Sequence, residues 1–477
     1  MTTMMWFRSD LRTIDNPALH AATSDTDGAT IAVFTITPAQ WRRHDDAPIK
    51  IDFILRNLRA LSADLAKLNI ALKILTVDDF AAVPGALLKL ATEYKCNRLV
   101  FNRQYELNER LRDEATEDLF RDANISTEAF TDQCIFEPGD LRTGSGNYYR
   151  VFTPFKRSWC STCEQQPDRT VPLPKPKKQQ SMLSKPDPVP GTREDFAFVR
   201  TEQNHWPHGE QHAKKRLAGF LNQHAEIYND KRDLPGDDET SRLSPYLTAG
   251  VISLRTCVHQ ARQANAGSLD KGSPGIVQWI SELVWREFYK HILVGYPRVS
   301  MHRPFQLETE RIRWNNNDDH FRAWCTGKTG YSIVDAAMRQ LAETGWMHNR
   351  LRMITAMFLT KNLFLDWRLG EQFFMRHLID GDLAANNGGW QWSASTGTDA
   401  APYFRVFNPT SQSRKCDPQG EFIRRYIPEL SHIEDGSIHE PHSRPPLHRS
   451  EIDYPSPIVD HATTRAKAIE AFKRIRS

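Results

Sequence analysis

Hydrophobic residues in the first quarter of the chain follow two patterns that take turns. Met4 to Phe7, Thr30 to Ile36, Ala71 to Val77 and Arg98 to Asn102 are short β-type runs. Ile51, Leu55, Leu58, Leu61, Leu65 and Leu68 recur at spacings of three and four, the stripe of an amphipathic helix. Strands joined through helices need crossovers, and crossovers make a parallel sheet covered on both faces. Residues 1–130 are therefore expected to form a doubly wound α/β domain. No GxGxxG follows the first strand and no GxxxxGK[ST] occurs, so neither a dinucleotide fingerprint nor a P-loop is available to it.

The pattern then changes. Seven prolines lie between Pro167 and Pro190, among Lys175, Lys177, Lys178 and Lys185, a composition that holds neither a helix nor a central strand. Residues 131–204 are read as an interdomain linker. From about His205 strand signals nearly vanish. Val277, Ile280, Leu283, Val284, Phe288 and Ile292 make one helical stripe and Leu351, Ile354, Phe358 and Leu359 begin another, so 205–477 are expected to be all α. The fold class is α/β joined to all-α.

Composition narrows the possibilities. A chain of 477 residues with 39% hydrophobic content supports more than one core. Its net charge of +3 gives no bulk attraction to a polyanion, so any nucleic-acid site must come from local clustering of Lys and Arg. Arg8 interrupts the start before any apolar run of signal-peptide length, and no later segment matches a membrane span; a cytoplasmic protein is expected. Seven cysteines without framework spacing suit reduced thiols. Cys160-Ser-Thr-Cys163 is the one CxxC and lacks a second ligand pair, so no metal site is expected there. His432, His439, His442 and His448 fall in a Pro-rich region and read as solvated loop histidines.

Four stretches carry candidate chemistry. Asp380-Gly-Asp-Leu-Ala-Ala-Asn386-Asn387-Gly388-Gly389-Trp390 combines residues tolerant of positive φ with a Gly pair, and reads as a sharply folded loop entering a Trp-bearing helix. Thr240-Ser241-Arg242-Leu243-Ser244-Pro245 puts hydroxyls and a guanidinium before a helix, with Ser244 as N-cap and Pro245 at the first helical position; such an end can seat a phosphate or simply cap the helix. Glu282, Trp285 and Tyr289, spaced three and four apart, share one helix face, where a partly desolvated carboxyl can act as a hydrogen-bond donor. In Gly345-Trp346-Met347-His348-Asn349-Arg350-Leu351-Arg352-Met353, Asn349 and Met353 are one turn apart beside two arginines, which fits either a nucleic-acid contact or a solvated helix face.

Taken together, TSRLS, WISELVWREFYKH, KTGYSIVDAAMRQLAETGWMHNRLRM, LFLDWRLGEQFF and DGDLAANNGGWQWSASTGTDAAPYFRVFNP, with WFRSDLRTIDNPAL and YYRVFTPFKRSW nearer the start, resemble the photolyase and cryptochrome flavoproteins along essentially the whole chain. Within them the chain is most similar to class I cyclobutane pyrimidine dimer photolyases of bacterial type. Trp346 and Asn349 stand where (6-4) photolyases carry a His-His pair, and Asn386 where plant cryptochromes carry Asp.

The resemblance implies a U-folded FAD. Asn386 faces the central-ring nitrogen, Asp382 and Gly381 lie near the uracil-like edge, and Asp380 pairs with Arg352. Tyr228, Thr240, Ser241, Arg242, Leu243 and Ser244 take the pyrophosphate and ribose, with Trp346 and Asn349 also at the cofactor. An amide opposite that nitrogen suits a reduced flavin, since the cofactor does the hard chemistry and the protein tunes it. Trp390, Trp367 and Trp314 stand as an electron relay. The implied partner is ultraviolet-damaged DNA whose dimer is flipped out of the duplex into a pocket, since a base inside the stack is out of reach of the cofactor. Trp285, Tyr289, Trp392, Met353 and Asn349 line the pocket, Glu282 bonds the thymine carbonyls, and Arg232 and Arg350 hold flanking phosphates. A monomer is expected. The rival reading is a cryptochrome-like blue-light receptor without repair.

Asn108 and Glu109 match the acidic contact of a methenyltetrahydrofolate antenna. Where relatives place Cys-Lys before HRPF, this chain has Ser300-Met301-His302, so one ammonium contact is missing and folate is expected to be held loosely.

Overall fold

The computed structural model describes residues 2–24, 28–191, 206–443 and 453–475, so His448, residues 192–204 of the expected linker and His205 lie outside it. Five parallel strands, β1 (Thr2–Phe7), β2 (Ala29–Ile36), β3 (Ala71–Thr76), β4 (Cys96–Asn102) and β5 (Ser126–Phe130), pair in the order β3-β2-β1-β4-β5. The first four follow the apolar runs. β5 was not anticipated: Ser-Thr-Glu-Ala-Phe is short and polar because it is an edge strand with only partial cover. The Pro48–Lys67 helix buries Ile51, Leu55, Leu58, Leu61 and Leu65, the stripe its spacing predicts. Met4, Trp6, Ile31, Val33, Leu87, Leu99, Phe101 and Phe120 form one core of this α/β part.

Strand order reverses at β1, where open parallel sheets usually present a ligand crevice. Here the chain's own side chains occupy that position. The Arg8 guanidinium lies 4.1 Å from the Trp6 ring and 4.6 Å from Phe101, and pairs with Asp113 at 3.1 Å. Asn102 Nδ2 donates to Asp10 Oδ2 at 2.6 Å. Burial is deep enough to lower Arg8 to about 10 and to raise Asp10.

The stretch read as linker is more structured than its composition suggests. Phe152–Gln165 is a helix whose Phe155 packs on Phe288, ring centroids 5.2 Å apart. Beyond one 3-10 turn at Pro167–Thr170, the prolines prevent regular structure, yet the segment is tied to the sheet: Gln179 N donates to Leu68 O and Asp187 N to Leu72 O at 2.9 and 2.8 Å.

The chain divides into two compact units, Met1–Glu226 with Ser241–Pro297 and Ile379–Ala384, and Ile227–Thr240 with Arg298–Leu378 and Ala385–Ser477. In the first, the sheet and the Pro274–Gly295 helix belong together. Gly250 is required there: its φ is +66° and a Cβ would stand 2.0 Å from Ser9 O. The second is helical, around Trp324, Ile333, Leu341, Leu351, Phe358, Trp367, Trp390 and Phe422. Its Ser332–Thr344 helix ends on Gly345 in the left-handed region, as a C-terminal glycine permits. His439, expected to be solvated, is instead buried with its ring 2.7 Å from Ser413 Oγ, because its 3-10 turn, Gly436–His439, packs on the Pro409–Cys416 helix that carries Ser413.

Candidate active site

In the first unit the Pro274–Gly295 helix presents two faces. Ile280, Leu283, Val284, Phe288 and Ile292 are buried, while Gln278, Glu282, Trp285 and Tyr289 form a half-buried stripe. The expected shared face of Glu282, Trp285 and Tyr289 is therefore the one left accessible. Gln278 Nε2 donates to Glu282 Oε1 at 2.8 Å, fixing the carboxyl along the stripe. Trp285 stacks on Phe152 with centroids 3.7 Å apart and planes within 8°, and meets Tyr289 at 5.4 Å. Phe152 thus backs one face of Trp285, a contact sequence spacing could not show because 133 positions separate the two.

The Ser241–Ser244 turn differs from expectation at its helix. Ser244 is the first helical residue of Ser244–Thr248, Leu243 is the cap without a side-chain bond, and Pro245 is second. The helix has only five residues, too short for much of a dipole, so any phosphate contact here relies on individual donors. The turn is made by Arg242 at φ +46°, a strained value for a bulky side chain, and is anchored by Leu243, 1% exposed. Trp279 Nε1 donates to Ser241 Oγ at 3.3 Å.

Asp380, Gly381 and Asp382 are held by residues the sequence did not single out. Lys50 Nζ donates to Gly381 O at 2.7 Å and Thr248 Oγ1 to Asp380 O at 3.5 Å. Asp382 receives Arg286 at 2.8 Å and the fully buried Lys290 at 3.1 Å, and Lys290 also lies 3.5 Å from Glu106. One buried and two half-buried cations thus fix the Asp-Gly-Asp.

The expected loop over 380–389 is corrected: helix begins at Leu383 and runs to Ala394, through both asparagines and both glycines. Side-chain bonds override the glycine cost. Asn387 Nδ2 donates to Glu371 Oε1 at 2.7 Å and Gln391 Nε2 to Asn387 Oδ1 at 2.8 Å, one turn along. Asn386 Nδ2 donates to Glu371 O at 3.0 Å, which turns its Oδ1 away as an acceptor.

Elsewhere in the second unit, Asn349 is exposed and Arg350, Arg352 and Met353 are half-buried on the first turns of the Asn349–Met357 helix, while Trp346 is 7% exposed. Arg352 Nε donates to Met347 O at 2.8 Å. Tyr228 is buried with the Arg232 guanidinium 5.7 Å from its ring, and Thr240 and Trp392 are half-buried. Trp390 and Trp367 are buried at 2% and 1%; Trp314 is partly open against Phe364 at 5.0 Å. Trp390 also meets Trp324 at 6.0 Å and Phe374 at 5.0 Å, two aromatic neighbours the sequence did not flag.

The antenna candidates sit at the start of the Leu107–Asp122 helix. Asn108 Nδ2 lies 3.0 Å from His44 Nε2, and His44 Nδ1 3.4 Å from Glu109 Oε1. Glu109 Oε2 is buried without a partner. Burial, reinforced by Glu106, pushes its carboxyl up to about 8, while burial lowers His44. Met301 is 55% exposed. Among the described residues no group of three His, Cys, Asp or Glu is placed to hold a metal, and no helix is long and apolar enough to cross a membrane. Cys160 and Cys163 are buried, and burial raises both thiols, Cys160 to about 11.

A parallel α/β sheet followed by helices bearing a fixed Asp-Gly-Asp, an oriented Asn386 and a tryptophan cluster defines a class of flavoprotein. Residues 279–474 match the FAD binding domain of DNA photolyase and residues 3–177 match DNA photolyase. The chain belongs to the DNA photolyase family, and FAD is its cofactor. It is 44% identical to deoxyribodipyrimidine photo-lyase of Escherichia coli, covering 100% of this chain and 99% of that protein, and 44% identical to the protein of the same name from Vibrio cholerae, covering 98% and 99%. Among solved structures it resembles a bacterial class III photolyase from Agrobacterium tumefaciens (33% identity, TM-score 0.86, 100% and 98% covered) and a Synechocystis cryptochrome (25%, 0.87, 98% and 99%).

Proposed function

We propose that this protein is a cytoplasmic, monomeric enzyme that splits cyclobutane pyrimidine dimers in ultraviolet-damaged DNA. The observation that carries the reading is the half-exposed stripe of Glu282, Trp285 and Tyr289 in a chain similar end to end to deoxyribodipyrimidine photo-lyases. When bound, reduced FAD supplies a light-excitable electron donor. Tyr228, Thr240, Ser241, Arg242, Leu243 and Ser244 would hold its pyrophosphate and ribose; Trp346, Asn349, Arg352, Asp380, Gly381 and Asp382 would seat the ring system. The bond from Asn386 to Glu371 leaves an amide oxygen able to accept the N–H of a reduced ring, so this residue fits the cofactor.

The remaining residues act on the DNA. Trp285, half-exposed and backed by Phe152, would stack on a flipped pyrimidine. Trp392, Met353, Asn349 and Tyr289 would complete the walls, and Arg232 and Arg350 would hold the flanking phosphates. Glu282, already oriented by Gln278, would hydrogen-bond the thymine carbonyls as negative charge develops on the dimer. Trp390, Trp367 and Trp314 would resupply electrons. Blue light should remove dimers from irradiated oligo(dT), with none lost in the dark. The cryptochrome likeness supports a second reading, light reception without repair, which wins if reduced, FAD-loaded protein leaves the dimers intact.

For the antenna, the orphaned Glu109 Oε2 fits the amino edge of methenyltetrahydrofolate. With Met301 in place of an ammonium, retention should be weak, by roughly tenfold or more for one lost charge-assisted bond. Folate donors favour the Glu109 carboxylate, so binding should release a proton and strengthen as pH rises toward 8. Folate absorbance titrations at several pH values check this; an affinity flat with pH, or a bound second flavin, would be the contrary result.

A further inference from the structure

Arg232 and Arg350, the two residues read as phosphate contacts, share one carboxylate. Arg350, in the first turn of the Asn349–Met357 helix, donates through Nη2 to Asp233 Oδ2, and Arg232 Nε lies 3.9 Å from Asp233 Oδ1. The Asp233 side chain is 31% exposed and those of both arginines 20%. All three belong to the second unit, as does Tyr228, whose ring lies beside the Arg232 guanidinium. A guanidinium offers the same donors to a carboxylate as to a phosphate diester, so the two anions are interchangeable partners. A half-buried ion pair whose carboxylate still reaches solvent is partly screened, and can exchange its anion. A fully buried pair could not do so without stranding a charge.

We propose that Asp233 is a built-in stand-in for a DNA phosphate. It neutralises and orients Arg350, with Arg232 as its second cation, while DNA is absent, and it yields to a backbone phosphate when the lesion seats. The inference rests on the DNA-repair reading above and adds a regulation of the same surface. With Asp233 in place the patch carries one less positive charge, so fewer counterions are released when the protein meets any strand. Affinity for undamaged and newly repaired DNA is thereby kept low, and release after repair is hastened. The opposite role, a permanent clamp that DNA leaves in place, makes the opposite prediction.

The test is fluorescence anisotropy of the FAD-loaded protein on a duplex with one dimer and on the same duplex undamaged, over a range of salt concentrations. Asp233→Asn should bind both duplexes about three- to tenfold more tightly, steepen the log–log salt slope by about 0.9, one phosphate contact, and leave undamaged DNA more slowly. Asp233→Glu should behave as the parent. In an Arg350→Ala background the effect of Asp233→Asn should shrink by more than half, since its main partner is gone. Weaker binding by Asp233→Asn, or an unchanged slope, overturns the proposal. If that variant fails to retain flavin, Asp233→Ser carries the same expectation and the same refutation. A parent protein with no preference for the dimer duplex would refute the repair reading instead, because the effect of Asp233 is a difference between proteins on one DNA.

Discussion

Glu282 shows how one side chain is prepared for a task by its neighbours. It lies on the accessible stripe of its helix, and the Gln278 amide donates to one of its carboxyl oxygens. A hydrogen bond to a group that gains charge during the reaction acts after binding, not before it. Glu282→Ala should therefore keep flavin and most affinity for dimer DNA, yet lower repair per absorbed photon several-fold; yields and binding constants measured on the same preparations separate the two effects. An unchanged yield would take Glu282 out of the chemistry. Its residue type and helix face were legible from spacings of three and four. The Phe152 ring behind Trp285 was not, because stacking joins residues far apart in sequence and leaves no periodic trace.

At the scale of elements, the Leu383–Ala394 helix departs most from its sequence. Two glycines in a helix cost about 1 kcal/mol each relative to alanine, and that reasoning predicts a loop. The buried Glu371 carboxylate outweighs it by binding Asn387, which in turn receives Gln391. Trp390 on the same helix packs over Gly370, where a Cβ would come within 2.1 Å of the ring. Trp390→Phe should block photoreduction of oxidised flavin, leave repair by chemically reduced enzyme intact, and destabilise by roughly 1–2 kcal/mol through the space it vacates; photoreduction at the parent rate would remove Trp390 from the relay. A second element-level effect concerns Glu287, which accepts from Ile135 N and Phe136 N at 2.7 and 3.1 Å. Burial raises its carboxyl from 4.5 to about 7, so its contribution to stability is full below 4.5 and is lost as pH rises through 7. At about 1.4 kcal/mol per pH unit the effect is on the order of 3 kcal/mol. Urea midpoints between about pH 5 and 8.5 should fall for the parent and stay flatter for Glu287→Gln; parallel curves would contradict this.

For the whole molecule, a net charge of +3 means that DNA affinity has to come from a local patch. Arg350→Ala should weaken binding to dimer DNA by tenfold or more, beyond the loss of one phosphate contact, because the Asp233 carboxylate is then left with Arg232 alone. Its salt slope should flatten by about 0.9; a steeper slope would count against a phosphate role. Alternating apolar runs and stripes determined the parallel sheet, the helical remainder and the accessible face of Glu282, since periodicity reports which side of an element meets the core. The long shared stretches determined the family. Only the tertiary structure decided that Asn386 and Asn387 are helical, that Lys50, Arg286 and Lys290 secure the Asp-Gly-Asp turn, that burial raises the Glu109 carboxyl, and that Asp233 bridges two arginines. Each of these depends on groups distant in sequence that meet where water is scarce, and there the energy of a charge or hydrogen bond is set by the partners the fold supplies.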